Sequence, residues 1–76
     1  MNPIKEILDN FENDVLSAVA KANDRGVPLA DVMRPYLEKA PETSIRYRAT
    51  RLARQDRIRV VDVAGRKVLL PAAAEE

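Results

Sequence analysis

Residues 43–57 read Thr-Ser-Ile-Arg-Tyr-Arg-Ala-Thr-Arg-Leu-Ala-Arg-Gln-Asp-Arg. At 100° per residue Ile45, Ala49, Leu52 and Ala53 fall on one narrow face, the pattern of a helix with a single buried stripe. Thr43, Tyr47, Thr50, Arg51 and Arg54 share the opposite face, with Arg46 and Arg48 on its flanks. No acidic residue occurs between Glu42 and Asp56. Arg48, Arg51, Arg54 and Arg57 follow one another at i, i+3, where like charges repel by about a few tenths of a kcal/mol per pair. Arg46 and Arg48 also sit toward the positive end of the helix dipole, which disfavours cations. A solvated helix face ordinarily mixes signs at i, i+4. This face does not, and a one-signed basic face is the footprint of an anionic partner.

Downstream the periodicity changes to that of strands. Ile58 to Asp62 and Arg66 to Leu70 predict a hairpin, ended by Pro71. Asp62-Val63-Ala64-Gly65 fits a type I turn, with aspartate first and glycine in the left-handed position after it. Upstream, Leu29, Val32, Met33, Tyr36 and Leu37 predict a second, shorter amphipathic helix over about 29–39, and Pro35 predicts a kink or one-turn break inside it. Ala40-Pro41-Glu42 is the turn before the basic helix, with Thr43 expected as its N-cap. Val27-Pro28 is extended, because the residue before proline avoids helical angles.

The chain starts with the strongest helix signal. Asn2 offers an N-cap oxygen and Pro3 fits the first helical position. Ile4, Ile7, Leu8, Phe11, Val15, Ala18, Val19 and Ala22 then form an apolar stripe. One helix to about residue 23, stopped by Gly26, is the simplest reading; a break near Asp9-Asn10 is the alternative. Asp9, Glu12 and Asp14 lie on its polar side, where solubility explains them.

Seventy-six residues predict one small domain over 1–71 with a frayed tail over 72–76. The absence of cysteine and histidine removes disulfides, thiolate chemistry, the commonest metal ligand and the usual general base near neutral pH. No glycine-rich phosphate loop is present either, so neither a metal nor a cofactor is expected, and an enzyme is disfavoured. No run approaches the ~20 apolar residues of a membrane helix, and no signal peptide is visible, which predicts a cytoplasmic protein. The net charge of +1 conceals an asymmetry. Residues 1–42 hold five basic and eight acidic side chains, net −3, whereas residues 43–70 hold eight basic and two acidic, net +6. Segregation of this kind marks a binding surface that the total hides.

Three helices followed by a β-hairpin, with the third helix and the hairpin tip basic, resemble the winged helix-turn-helix superfamily of DNA-binding domains. The segment that carries the resemblance is Thr43 to Ile58, and the likeness extends from about Phe11 to Leu70. It implies a mainly α fold with a small hairpin, the third helix entering the major groove and the wing lying along phosphates or in the adjacent minor groove. Helix geometry then sorts the side chains. Thr43, Ser44, Tyr47 and Arg48, early on the outward face, reach bases if the helix enters by its N-terminus. Arg51 lies centrally enough for bidentate bonding to guanine. Arg46, Arg54, Arg59, Arg66 and Lys67 suit phosphates, which position without specifying. Thr50 completes the face. Each has a plainer explanation: Tyr47 covering the second helix, Thr50 bonding back to a carbonyl, Arg66 and Lys67 guarding a strand edge.

A double-stranded DNA-binding transcriptional regulator is the leading expectation. A protein-interaction module for an acidic partner is the alternative, since fold alone does not choose. RNA binding ranks third, because only three aromatics are available for stacking. A first helix of some 30 Å outruns the second, so Ile4, Ile7, Leu8 and Phe11 are expected to project beyond the core and hold a homodimer.

Overall fold

The computed structural model describes residues 3–72. The first helix, α1, runs unbroken over Pro3–Ala22, without interruption at Asp9-Asn10. The Asn2 cap and residues 73–76 of the tail lie outside the described residues. Leu8, Phe11, Val15 and Val19, spaced at three and four, turn inward from α1. After Ala22 the chain leaves the helix through Asn23, at φ 56°. Asparagine tolerates this left-handed conformation better than most residues. A single 3₁₀ turn over Asn23–Arg25 follows.

Gly26 then adopts φ 76° and ψ 170°, a region open essentially to glycine alone. A Cβ there would lie 2.6 Å from Val68 Cγ1 and 2.9 Å from Leu70 Cδ2. Both the angle and the space therefore demand glycine. Gly26→Ala should cost about 1–3 kcal/mol of stability. Urea titration checks this, and an unchanged midpoint would contradict it.

Val27–Pro28 is extended and forms a short strand, β1. It pairs with the final strand, Val27 opposite Leu69 and Pro28 opposite Val68. This third strand was not expected from the alternation, since two residues carry no period. The second helix, α2, spans Leu29–Met33 and passes into a 3₁₀ turn over Arg34–Tyr36, so the break expected around Pro35 is present. That break aims Tyr36 inward. Its ring meets Phe11 edge-on at 5.5 Å between centroids, and its hydroxyl donates to the Asp14 carboxylate. Burial, with the Asp14 hydrogen bond second, pushes the Tyr36 hydroxyl pKa up to about 12.

The basic helix, α3, spans Glu42–Arg54 and presents Ile45, Ala49 and Leu52 inward. Its N-cap is Pro41, whose carbonyl accepts from the Ile45 amide at 3.1 Å. Thr43 therefore sits inside the first turn and does not cap it. Extended φ and ψ at Pro41 already set the helix entry, with no side-chain oxygen required. At the other end Asp56 takes φ 60°, and the Arg57 and Asp56 amides donate to the carbonyls of Leu52 and Ala53, both at 3.0 Å. This is a Schellman-type stop with aspartate in the place glycine usually fills.

The hairpin pairs β2, Ile58–Val63, with β3, Arg66–Pro71. Val63 faces Arg66, which leaves a two-residue loop of Ala64 at φ 53° and Gly65 at φ 81°. Two consecutive positive φ values belong to a type I′ loop, so the type I turn expected around Asp62 is not formed. The primed loop matches the twist of the paired strands, and that gain outweighs holding alanine in the left-handed region. The sheet order is β1-β3-β2, all antiparallel.

The architecture is thus mainly helical with a small three-stranded antiparallel sheet. A single cluster built on Phe11, Val15, Ile45, Leu52, Ile58 and Leu69 joins the helices to one face of that sheet. Phe11 is fully buried and Leu8 is 7% exposed, while Ile7 packs against the cluster. Of the four residues expected to hold a dimer only Ile4, at 38%, is exposed. The expected projection of Ile7, Leu8 and Phe11 beyond the core is therefore corrected. The length of the second helix underestimates its cover, because the break at Pro35 delivers Tyr36 against Phe11. Among the described residues no helix is long and apolar enough to cross a membrane.

Candidate nucleic-acid interface

Packing α3 on α1 and on β2 fixes which of its side chains face outward. Thr43, Arg46, Tyr47, Thr50, Arg51 and Arg54 are all exposed. Tyr47 is 59% exposed, so it does not lie as a cover over α2. Ser44 is half-buried at the edge of this face. Arg46 donates to Glu42 at 2.8 Å along the helix. Among the described residues neither Arg51 nor Arg54 has an acidic partner within ion-pair distance. Glu42, the one acid of α3, lies nine residues before Arg51, so these two guanidinium groups make the C-terminal half the more positive part of the helix.

Arg48 is not part of that face. Its Nη1 donates to Asp9 Oδ1 at 2.9 Å and to Glu12 Oε2 at 2.7 Å, and its side chain is only 12% exposed. Arg48 therefore ties α3 to α1 and is withdrawn from base contact, contrary to the sequence-based expectation. The physical reason is angular. Arg48 lies about 60° from Ile45 on the helical wheel, close enough to the buried stripe to meet the neighbouring helix. The Asp9 carboxyl is held below its ordinary value, first by Arg48 and then by Lys5, which donates to it at 3.1 Å. Correspondingly the Arg48 guanidinium is held more firmly charged than usual, with the Asp9 bond the largest cause. The acids of α1 are thus structural. Asp9 and Glu12 grip Arg48, and Asp14 receives Tyr36, whereas solubility was the sequence-level explanation for all three.

The hairpin cations divide. Register and alternation put Arg59, Val61, Val63, Arg66, Val68 and Leu70 on one face of the sheet, and Ile58, Lys67 and Leu69 on the face turned to the helices. Arg59 lies at the start of β2, where its Nε donates to the Pro71 carbonyl at 3.3 Å. It shares a sheet face with Arg66 but lies at the far end of the hairpin from the loop. Arg66 and Lys67 follow the Ala64-Gly65 loop on β3, and Lys67 pairs across the strands with Asp62 at 3.2 Å. Together with Arg46 of α3 they border one open cleft between the loop and α2. The comparisons with protein-family models, curated proteins and solved structures find no match.

The fold therefore brings Thr43, Arg46, Tyr47, Thr50, Arg51 and Arg54 onto one helix face, with Arg66 and Lys67 beyond the cleft beside it. It removes Arg48 from that set and leaves Arg59 apart. It also adds Arg34, exposed on the turn after α2, which no periodicity or charge run in the sequence singles out. A helix face with a hydroxyl-bearing and aromatic middle and arginines around it can do two things chemically. It offers hydrogen-bond donors in fork geometry to planar acceptors or phosphate oxygens, and an apolar ring surface between them.

Proposed function

We propose that the protein binds double-stranded DNA as a winged helix-turn-helix domain and acts as a transcriptional regulator. In this reading α3 enters the major groove and the β2–β3 hairpin is the wing. The observation that carries it is the face of α3 on which Arg51 and Arg54 project into solvent without acidic partners among the described residues. Exposed, unpaired arginines at i, i+3 cost helix stability and return it only when an anion arrives. Three helices followed by a hairpin that packs back on their core support the superfamily assignment. Thr43, Tyr47, Thr50 and Arg51 face bases. Arg46, Arg54, Arg66 and Lys67 face phosphates.

Electrophoretic shift assays on a selected site and on random duplex test the division of roles. Arg51→Ala should cost about 1–3 kcal/mol on the preferred site and relax base preference there. Arg66→Ala should weaken binding to all sequences alike and flatten the salt slope by about one unit. Equal losses on selected and random DNA for Arg51→Ala would show that the base-facing residue has been misassigned.

A further inference from the structure

An opening with a volume of about 610 Å³ lies beside α3, between α2 and the hairpin loop. We infer that this cleft is a site for closely spaced phosphate groups, and that it takes them whether they belong to a nucleic-acid backbone or to a free oligophosphate. Arg34 comes from the turn after α2, Arg46 from α3, and Arg66 and Lys67 from the hairpin. Four cations from three separate elements thus converge on one concavity, against a single lining acid, Asp31. Convergence from different elements matters because no local helix or strand rule requires it. A mere solvated run would spread along one element.

The in-chain partners of these cations are weak competitors. Arg34 stands 3.8 Å from Asp31, with both side chains more than half exposed. Arg46 and Lys67 each hold one exposed carboxylate, Glu42 and Asp62. Exposed pairs of this kind contribute little, so a multivalent anion displaces them at small cost. Arg66 has no acidic partner within ion-pair distance among the described residues. The loop also leaves room. A Cβ at Gly65 would meet nothing within 4 Å, so the approach over the loop is open. The size falls in the range of small-ligand sites, several times the space one phosphate needs. Single phosphate is therefore the poorer occupant, and two or three phosphates in a chain are the better one.

The inference stands apart from the duplex reading, because a free oligophosphate carries the same chemistry. Sodium tripolyphosphate is the probe. Titrated into the full chain at low ionic strength, it should produce saturable amide shifts at Arg34, Arg46, Gly65 and Lys67. The double variant Arg34→Ala, Arg66→Ala should bind it at least about tenfold more weakly, while Lys21→Ala on α1 leaves the affinity unchanged. Retained melting temperatures show that the exposed substitutions have not unfolded the chain. The source of the natural phosphates is read from a second arm with duplex DNA. If Arg34→Ala weakens binding to every sequence and lowers the salt slope by about one unit, the cleft seats the DNA backbone. If tripolyphosphate binding is lost while duplex affinity holds, the cleft serves a free oligophosphate. No saturable shift at the cleft amides, or an equal loss in Lys21→Ala, overturns the inference, and does so without bearing on whether α3 binds DNA.

Discussion

Arg48→Met should lower the stability of the chain by about 2–4 kcal/mol, the largest loss expected from any charged side chain here. The thioether keeps much of the arginine stem but leaves Glu12, 13% exposed, without its cation. Breaking a fully buried pair costs about 3–5 kcal/mol, and the half-exposed Asp9 moderates that figure. Removing both charges, with Glu12→Gln beside Arg48→Met, should recover part of the loss, since the penalty comes from a stranded carboxylate. Acid titration supplies a second signature. The Asp9 carboxyl is held below 3.8 in the folded chain, so its contribution is present above about pH 4 and fades as pH falls through the lower folded value. Thermal melts between pH 7 and 2 should show that acid loss in the native chain and a shallower one in Arg48→Met. A variant as stable as the native chain would mean that the contact between α1 and α3 does not depend on this network.

Reversing both free arginines of α3, Arg51→Glu with Arg54→Glu, should do the opposite: little to the fold and much to binding. Both side chains are exposed, and surface substitutions ordinarily stay within about 0.5 kcal/mol. A carboxylate at position 54, in the last turn, is mildly unfavourable against the helix dipole, while relief of arginine repulsion offsets it. Duplex affinity at low salt should fall about 100-fold or more, because two attractive contacts become repulsive. Anisotropy with a labelled duplex, beside a melt of the same sample, separates the two effects. Retained affinity in a folded variant would move the binding surface off α3.

The contrast between these two arginine sets marks where the sequence was informative and where it was not. Arg48, Arg51 and Arg54 are indistinguishable as members of an i, i+3 series. Their different fates depend on Asp9 and Glu12, 39 and 36 residues upstream, and nothing local encodes that meeting. Two weak signs were nonetheless present: Arg48 flanks the buried stripe, and Asp9 and Glu12 are themselves spaced i, i+3. Elements with a long period were legible. The apolar stripe of α1, the break at Pro35 and the alternation of the hairpin all appear where their spacing puts them. Short features were not. The two residues of β1 are defined by their pairing with β3, and the loop type is chosen by strand twist over the preference of Ala64. The expectation that Ile7, Leu8 and Phe11 project beyond the core failed for a related reason. Helix length alone does not show how much of α1 is covered: the 3₁₀ turn swings Tyr36 onto Phe11 and uses the apolar face of α1 within one chain.

Binding of duplex DNA through its phosphates, proposed above for this surface, makes affinity fall steeply with salt. A labelled random duplex of some 20 base pairs is titrated with the native chain at several salt concentrations between 50 and 200 mM. With about four phosphates neutralised, by Arg46, Arg54, Arg66 and Lys67, log K should fall against log salt with a slope near −3.6, about a 150-fold loss across that range. No measurable binding at 50 mM, or binding that does not change with salt, would contradict the account and shift the assignment of the α3 face to an acidic protein partner.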